Sequence, residues 1–305
     1  MNNQIDYVSE INRLKKEKNA VILAHYYQRS EVQDIADYLG DSLALSRIAA
    51  ETDADIIVFC GVHFMAETAK ILSPDKMVLL PVKEAGCPMA EMVTDLRLKK
   101  YKEENPDVKV VCYVNSTAKV KALSDVCVTS SNSEKVISHY KGEKLLYVPD
   151  KNLGTYLKEK FELDMDVWKG FCCIHNDVTN EEVLKAKKMH PNAQFIVHPE
   201  CQLDIVKMAD YVGSTKGLLE YVKNSDCQEF IVGTEKGIIH QMELSCPGKK
   251  FYLLTENLAC YDMKLTTLRD VYYALLNEET KIEVEESIRH KALKSLEKMF
   301  EYTDR

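Results

Sequence analysis

Nowhere in its 305 residues does the chain carry an apolar run of about 18 residues, the length that a helix needs to cross a bilayer. Positive charge is also in deficit. Forty-eight acidic residues face 40 Lys and Arg, a formal net charge of −8. Nucleic acids and anionic membranes need clustered cations, so small molecules are the expected partners. No G-x-G-x-x-G follows a predicted strand, which argues against a nicotinamide dinucleotide. The usual ferredoxin cysteine spacing is missing, and no Gly/Ser/Pro-rich linker marks a domain boundary. Residues 1–18 alternate polar and apolar without a signal-peptide core, so a cytoplasmic protein is expected.

What the chain does have is 46% hydrophobic residues, enough for sizeable cores, and ten cysteines. A reducing compartment disfavours disulfides and turns attention to metal binding, catalysis or simple burial. Cys60, Cys112 and Cys127 sit in apolar runs and read as core.

After a predicted helix over 7–17 comes Ala20-Val-Ile-Leu-Ala-His25, the kind of apolar run expected of a buried parallel strand. The pattern returns in Val108-Lys-Val-Val-Cys-Tyr113-Val-Asn115-Ser116 and in Gln194-Phe-Ile-Val-His198-Pro-Glu200. Residue 113 follows residue 25 by 88 positions, and residue 198 follows 113 by 85. Each repeat then has a second strand ending on hydroxyls, at Ser42, Ser130-Ser131 and Ser214-Thr215, and a third strand ending near Gly61, Pro149 and Gly233. Helical stretches intervene throughout, which predicts parallel sheets. The period exceeds the solenoid range of roughly 20–50 residues, so the reading is three similar small α/β domains in a pseudo-threefold arrangement. They span 19–104, 105–190 and 191–266, with terminal helices in 1–18 and 267–305 and the active site expected where the domains meet.

One loop cysteine closes each repeat, namely Cys87, Cys172 and Cys260, separated by 85 and 88 positions. Three thiolates suit a [4Fe–4S] cluster with one open iron, or a three-ligand catalytic zinc, or they are plain loop cysteines. The hydroxyls keep the period too. Three helix caps aimed at one point would offer N–H groups and partial positive charge to an anion, a way for an acidic protein to bind one. His25 and His198 at the first strand ends add donors, and Tyr27, Tyr113, Asn115 and Glu200 add proton-transfer and orienting groups.

Seven strings occur in order: His25-Tyr-Tyr-Gln, Gly61-Val-His-Phe-Met-Ala-Glu67, Pro149-Asp-Lys-Asn-Leu-Gly154, Cys172-x-x-His175, Val197-His-Pro-Glu-Cys201, Gly233-Thr-Glu-Lys-Gly237 and Glu256-Asn-Leu-Ala-Cys260. Together, from about Asn19 to Leu268, the chain resembles the quinolinate synthase family. The resemblance implies a triangular α/β protein around one central [4Fe–4S] cluster per chain, bound by Cys87, Cys172 and Cys260. It also implies condensation of iminoaspartate with dihydroxyacetone phosphate to quinolinate, phosphate and water, feeding NAD synthesis, and a functional link to the enzyme that supplies iminoaspartate. His25, Ser42, Ser130, His198, Ser214 and Thr215 would hold carboxylates and phosphate, and Tyr27, Tyr113, Asn115 and Glu200 would handle isomerisation and proton transfer. Cys172 is preferred to Cys173 because its spacing to His175 matches the family string. Some members carry extra cysteines flanking the third ligand, whereas Cys260 is followed by Tyr261, Asp262 and Met263, so no thiol switch is expected there. With one iron left open, the cluster is expected to act as a Lewis acid in dehydration. The rivals are a zinc-dependent hydrolase or lyase on the same cysteines and a non-catalytic anion-binding module.

Overall fold

The computed structural model describes residues 5–304. Twelve strands alternate with helices: β1 Ala20–His25, β2 Tyr38–Gly40, β3 Ile56–Cys60, β4 Met77–Leu79, β5 Lys109–Tyr113, β6 Val126–Val128, β7 Leu145–Val148, β8 Met165–Val167, β9 Gln194–Val197, β10 Tyr211–Val212, β11 Glu229–Gly233 and β12 Lys250–Leu253. They form three four-stranded sheets of one topology, β2-β1-β3-β4, β6-β5-β7-β8 and β10-β9-β11-β12. Every pairing within them is parallel. The expected α/β class with three similar parallel sheets is what the chain forms. No helix among the described residues is long and apolar enough to cross a membrane.

The central strands are apolar without alternation because both faces are covered: β3 and β7 are buried at every position. The fourth strands escaped sequence reading. They are three or four residues long and lie at the sheet edge, where partly exposed residues such as Asp166 and Tyr252 hide the pattern.

Two compact units result. The first comprises the described residues up to Cys87 together with Tyr261–Glu286, and the second comprises Pro88–Cys260 with the described residues from Ser287 onward. The first holds one sheet. One face of that sheet packs Ile22, Ala24 and Val58 against Ile11 and Leu14 of helix Tyr7–Glu17 and Val271 and Leu275 of helix Leu268–Asn277. The second unit holds the other two sheets. In the third sheet Phe195, Val197 and Ile231 pack with Val183 and Ala186 of helix Asn180–Met189.

A shared device sets the register of each second strand. Asp37, Asp125 and Asp210 immediately precede β2, β6 and β10, and the carboxylate accepts from the backbone of the neighbouring first strand: Ile22 N at 2.8 Å, Val110 N at 2.8 Å and Phe195 N at 2.7 Å. The backbone of each Asp donates in return to the carbonyl of the same residue, at 3.0, 3.0 and 2.8 Å. A lysine from the preceding helix reaches the same segment in each repeat. Lys15 pairs with Asp37 at 2.5 Å, Lys102 bonds Leu123 O at 2.5 Å, and Lys187 bonds Met208 O at 2.7 Å. These Asp and Lys residues keep the repeat period, yet sequence reading passed over them because acidic residues before short strands look like ordinary turns.

Replacing Asp125 by Ala should strand the Val110 N–H and lower the unfolding free energy by about 1–2 kcal/mol in denaturant titration. Asp125→Asn retains an acceptor and should lose less. Equal stability of all three proteins would reduce the bond to decoration.

Candidate active site and metal centre

The side chains singled out from sequence gather at the carboxyl ends of the strands and the loops that follow, where parallel α/β sheets bind ligands. In the first unit His25 ends β1 and is buried, and its Nδ1 accepts the Tyr27 N–H at 3.1 Å while the Tyr27 ring stands edge-on at 4.6 Å. His198 repeats the arrangement in the second unit, with Nδ1 accepting the Glu200 N–H at 3.3 Å. In both, an accepting Nδ1 places the proton of a neutral ring on Nε2, which becomes a directed N–H donor. His198-Pro199-Glu200 is a turn closed by Cys201 N to His198 O at 3.1 Å, and this turn, not an extended strand end, brings Glu200 back to His198.

The hydroxyls are less uniform than their spacing suggests. Ser214 caps helix Thr215–Asn224, its Oγ accepting from Gly217 N at 3.0 Å. Ser42 is already the first helical residue, because the stronger acceptor Asp41 takes the cap and accepts from Ala44 N at 3.0 Å. Ser130 stands in a turn before helix Ser133–Ser138, where Asn132 bonds Thr129 instead of capping. The picture of three serine caps therefore gives way to one. The second and third sheets still meet there: Ser131 Oγ donates to Ser214 Oγ at 2.9 Å, with Thr215 buried alongside.

The densest polar cluster lies in the second unit around Glu200, which is 4% exposed. His175 Nδ1 is 2.9 Å from Glu200 Oε2 and 3.2 Å from Cys172 Sγ, while its Nε2 meets Thr234 Oγ1 at 2.9 Å. Tyr113 also hydrogen-bonds Glu200. Burial works against a charge on Glu200, but His198, His175 and Tyr113 outweigh it and hold the carboxyl below its ordinary range. Burial pushes His198 itself down to about 4, so at neutral pH that ring is uncharged and hydrogen bonds from its neighbours keep Glu200 ionised. Burial, and then the charge of Glu200, raise Tyr113 well above the usual phenol value and keep it a donor. Asp150, fully buried, is raised by burial and then by Glu200, although its oxygens accept from Leu153 N at 2.7 Å and Cys172 N at 3.2 Å. The two buried carboxyls are thus driven apart, Glu200 towards its charged form and Asp150 towards its neutral one. Asn115 Oδ1 is buried with no hydrogen-bond partner among the described residues, an acceptor left over for a ligand.

Cys87, Cys172 and Cys260 each stand in a loop beyond the fourth strand of a sheet and are partly exposed, whereas Cys60, Cys112, Cys127, Cys201 and Cys246 are buried. Cys173 is exposed and opens a short helix. The loops are individually braced. Gly170, bridged to Asp150 beyond the end of β8, lets the chain pass Pro149, whose carbonyl a Cβ there would meet at 2.6 Å, and this close approach sets Cys172 on Asp150. Glu235, wholly buried, accepts from Cys260 N at 3.1 Å and from Gly237 N at 2.6 Å. Partly exposed thiols on such loops are the donor type that an iron–sulfur group takes. Cys172 with His175 and Glu200 is moreover a possible metal-binding group.

Sequence reasoning left Asp150, Asn152, His175, Thr234 and Glu235 unassigned although all lie inside the quoted strings. For Asp150, Thr234 and Glu235 the available signal was polarity just past an apolar strand, whereas Asn152 and His175 lie in the helices that follow and carried none.

Comparison with known proteins agrees with this geometry. The family profile described as "Quinolinate synthetase A protein" matches residues 9–301. A quinolinate synthase of Alkaliphilus metalliredigens is 53% identical over 300 residues, covering 98% of this chain and 99% of that one. Those of Clostridium kluyveri and Caldicellulosiruptor saccharolyticus are 54% and 50% identical, each covering 96% of this chain and 97% of theirs. With a family match over residues 9–301 and relatives that are half identical or more over nearly the whole chain, the chain belongs to the quinolinate synthase family of enzymes.

Proposed function

We propose that the protein condenses iminoaspartate with dihydroxyacetone phosphate to quinolinate, phosphate and water, in the cytoplasm and in functional connection with the enzyme that makes iminoaspartate. The observation that carries this reading is the ionised, buried Glu200 at the carboxyl end of β9, in reach of His175, His198 and Tyr113. Once substrate takes over the hydrogen bonds that lower its basicity, the Glu200 carboxylate can take a proton from a carbon acid, and the Tyr113 hydroxyl beside it can return one. The Nε2–H groups of His25 and His198, with Ser42, Ser130, Ser214 and Thr215, would meet the substrate's carboxylates and phosphate as donors. Tyr27 and Asn115 would orient the carbonyl and nitrogen ends. A [4Fe–4S] cluster held by Cys87, Cys172 and Cys260 would supply a Lewis-acidic iron for the dehydration that closes the ring.

Anaerobically reconstituted protein should form quinolinate from the two substrates, measured by mass spectrometry. Cys87→Ser, Cys172→Ser and Cys260→Ser should each lose the brown chromophore and the product, while Cys173→Ser keeps both. A brown Cys172 variant beside a colourless Cys173 variant would exchange the assignment, and product formation by colourless protein would refute the cluster's part.

Glu200→Gln should bind substrate yet turn over at least about 10²-fold more slowly, the usual loss of an acid–base group, and a kcat near wild type would remove this role. Glu235→Ala, which releases the Cys260 backbone, should lower iron retained per chain after desalting. Full retention would show that the Cys260 loop holds its shape unaided.

A further inference from the structure

Cys172, His175 and Glu200 each bring one ligand atom into a common group, the three atoms lying within 4.8 Å of one another. The two separations from His175 Nδ1, 3.2 Å to Cys172 Sγ and 2.9 Å to Glu200 Oε2, are close to those in a tetrahedral zinc site. With zinc–ligand bonds of about 2.0–2.3 Å, donors stand about 3.4–3.6 Å apart, so both separations need widen by only about half an ångström. Cysteine and histidine three residues apart fall on one turn and chelate together. The supporting contacts are those that orient metal ligands. His175 Nε2 rests on Thr234 Oγ1, a hydroxyl that can accept as readily as donate, so when an ion replaces the Nδ1 contact to Glu200 the ring proton can move to Nε2 and leave Nδ1 to the metal. Asp150 fixes the Cys172 backbone, and Asn152 Nδ2 donates to the Glu200 carbonyl at 2.8 Å. His175 and Glu200 are buried while Cys172 is partly exposed, which gives an ion a way in.

We propose that when no cluster is bound, Cys172, His175 and Glu200 capture one divalent ion of zinc type, and that this occupation competes with cluster assembly. A thiolate, an imidazole and a carboxylate form a borderline donor set suited to zinc. The ion displaces the Cys172 thiol proton to solvent, and water completes its coordination. Neither Cys87 nor Cys260 takes part, so this site is separable from the three-cysteine set. Its filling withdraws one thiolate from that set and occupies the carboxylate on which turnover depends. The enzyme would thereby be held in a metal-bound, inactive form until the ion is removed.

The test uses the full chain stripped of iron by chelation in air, titrated with Co²⁺ as a spectroscopic substitute for zinc. One equivalent should bind and give thiolate-to-cobalt charge-transfer absorption. Cys172→Ser should abolish that band, and His175→Ala and Glu200→Ala should weaken binding by at least about tenfold. Thr234→Val, which removes no ligand, should also weaken it about tenfold, and it keeps the test decisive if a ligand variant misfolds by circular dichroism. Cys87→Ser and Cys260→Ser should bind as wild type does. Preloading Zn²⁺ should slow cluster reconstitution from iron and sulfide, and adding a chelator should restore the rate. No charge-transfer band, or equal loss in the Cys87 and Cys172 variants, would overturn the site. Reconstitution indifferent to Zn²⁺ would overturn the competition. Neither failure touches the assignment of the condensation, which is read from product alone.

Discussion

Parallel strand pairing governs what this protein can place where. Within each sheet every strand runs the same way, so the carboxyl ends line one edge and every functional loop must leave from it. Helical crossovers cover both faces, and the central strands can hold nothing but apolar side chains. Polar chemistry is thereby driven to the strand ends, where His25, Asn115, Asp150, His198 and Thr234 all stand just at or past the last paired residue. The cysteines follow for the same reason, each in the loop after an edge strand.

That crowding has an electrostatic cost, and the protein meets it by unequal treatment of its two buried acids. Glu200 is surrounded by donors and keeps its charge, whereas Asp150 caps helix Lys151–Phe161, braces Cys172 and is driven towards neutrality by its neighbour. Both are equally removed from water and Asp150 too accepts backbone N–H bonds, so what separates them is the neighbour each one faces: Glu200 faces His198, His175 and Tyr113, whereas Asp150 faces Glu200. His198, uncharged for want of solvent, offers an N–H without adding a second charge to the site.

Much of this was legible in the chain. The first and third strands announce themselves as unbroken apolar runs because both faces are buried, and helix Tyr7–Glu17 begins and ends where periodicity puts it. The repeat spacing pointed to the histidines, the glutamate and the three cysteines. What remained hidden was of two kinds. Edge strands such as Met165–Val167 are too short and too polar for a period to show. Contacts such as His175 with Thr234, or Asp150 with Cys172, join residues far apart in sequence, and nothing local encodes them. The serine caps show the converse error: Ser42 and Ser214 keep the period, but Asp41 is the better acceptor and takes the first cap.

The first unit is built from two stretches, the described residues up to Cys87 and Tyr261–Glu286, with the second unit's long segment Pro88–Cys260 inserted between them. Its core needs Val271 and Leu275 against Ile11 and Leu14, and its edge strand β4 is bridged by Lys281. The second unit is closed in the same way, by residues of helix Glu286–Asp304, whose Ser295 Oγ donates to Lys121 O at 3.0 Å across 174 positions. Neither core can therefore be finished by one continuous stretch of chain, and each keeps an apolar flank uncovered until its distant closing segment arrives, which is where a chaperone would find its hold.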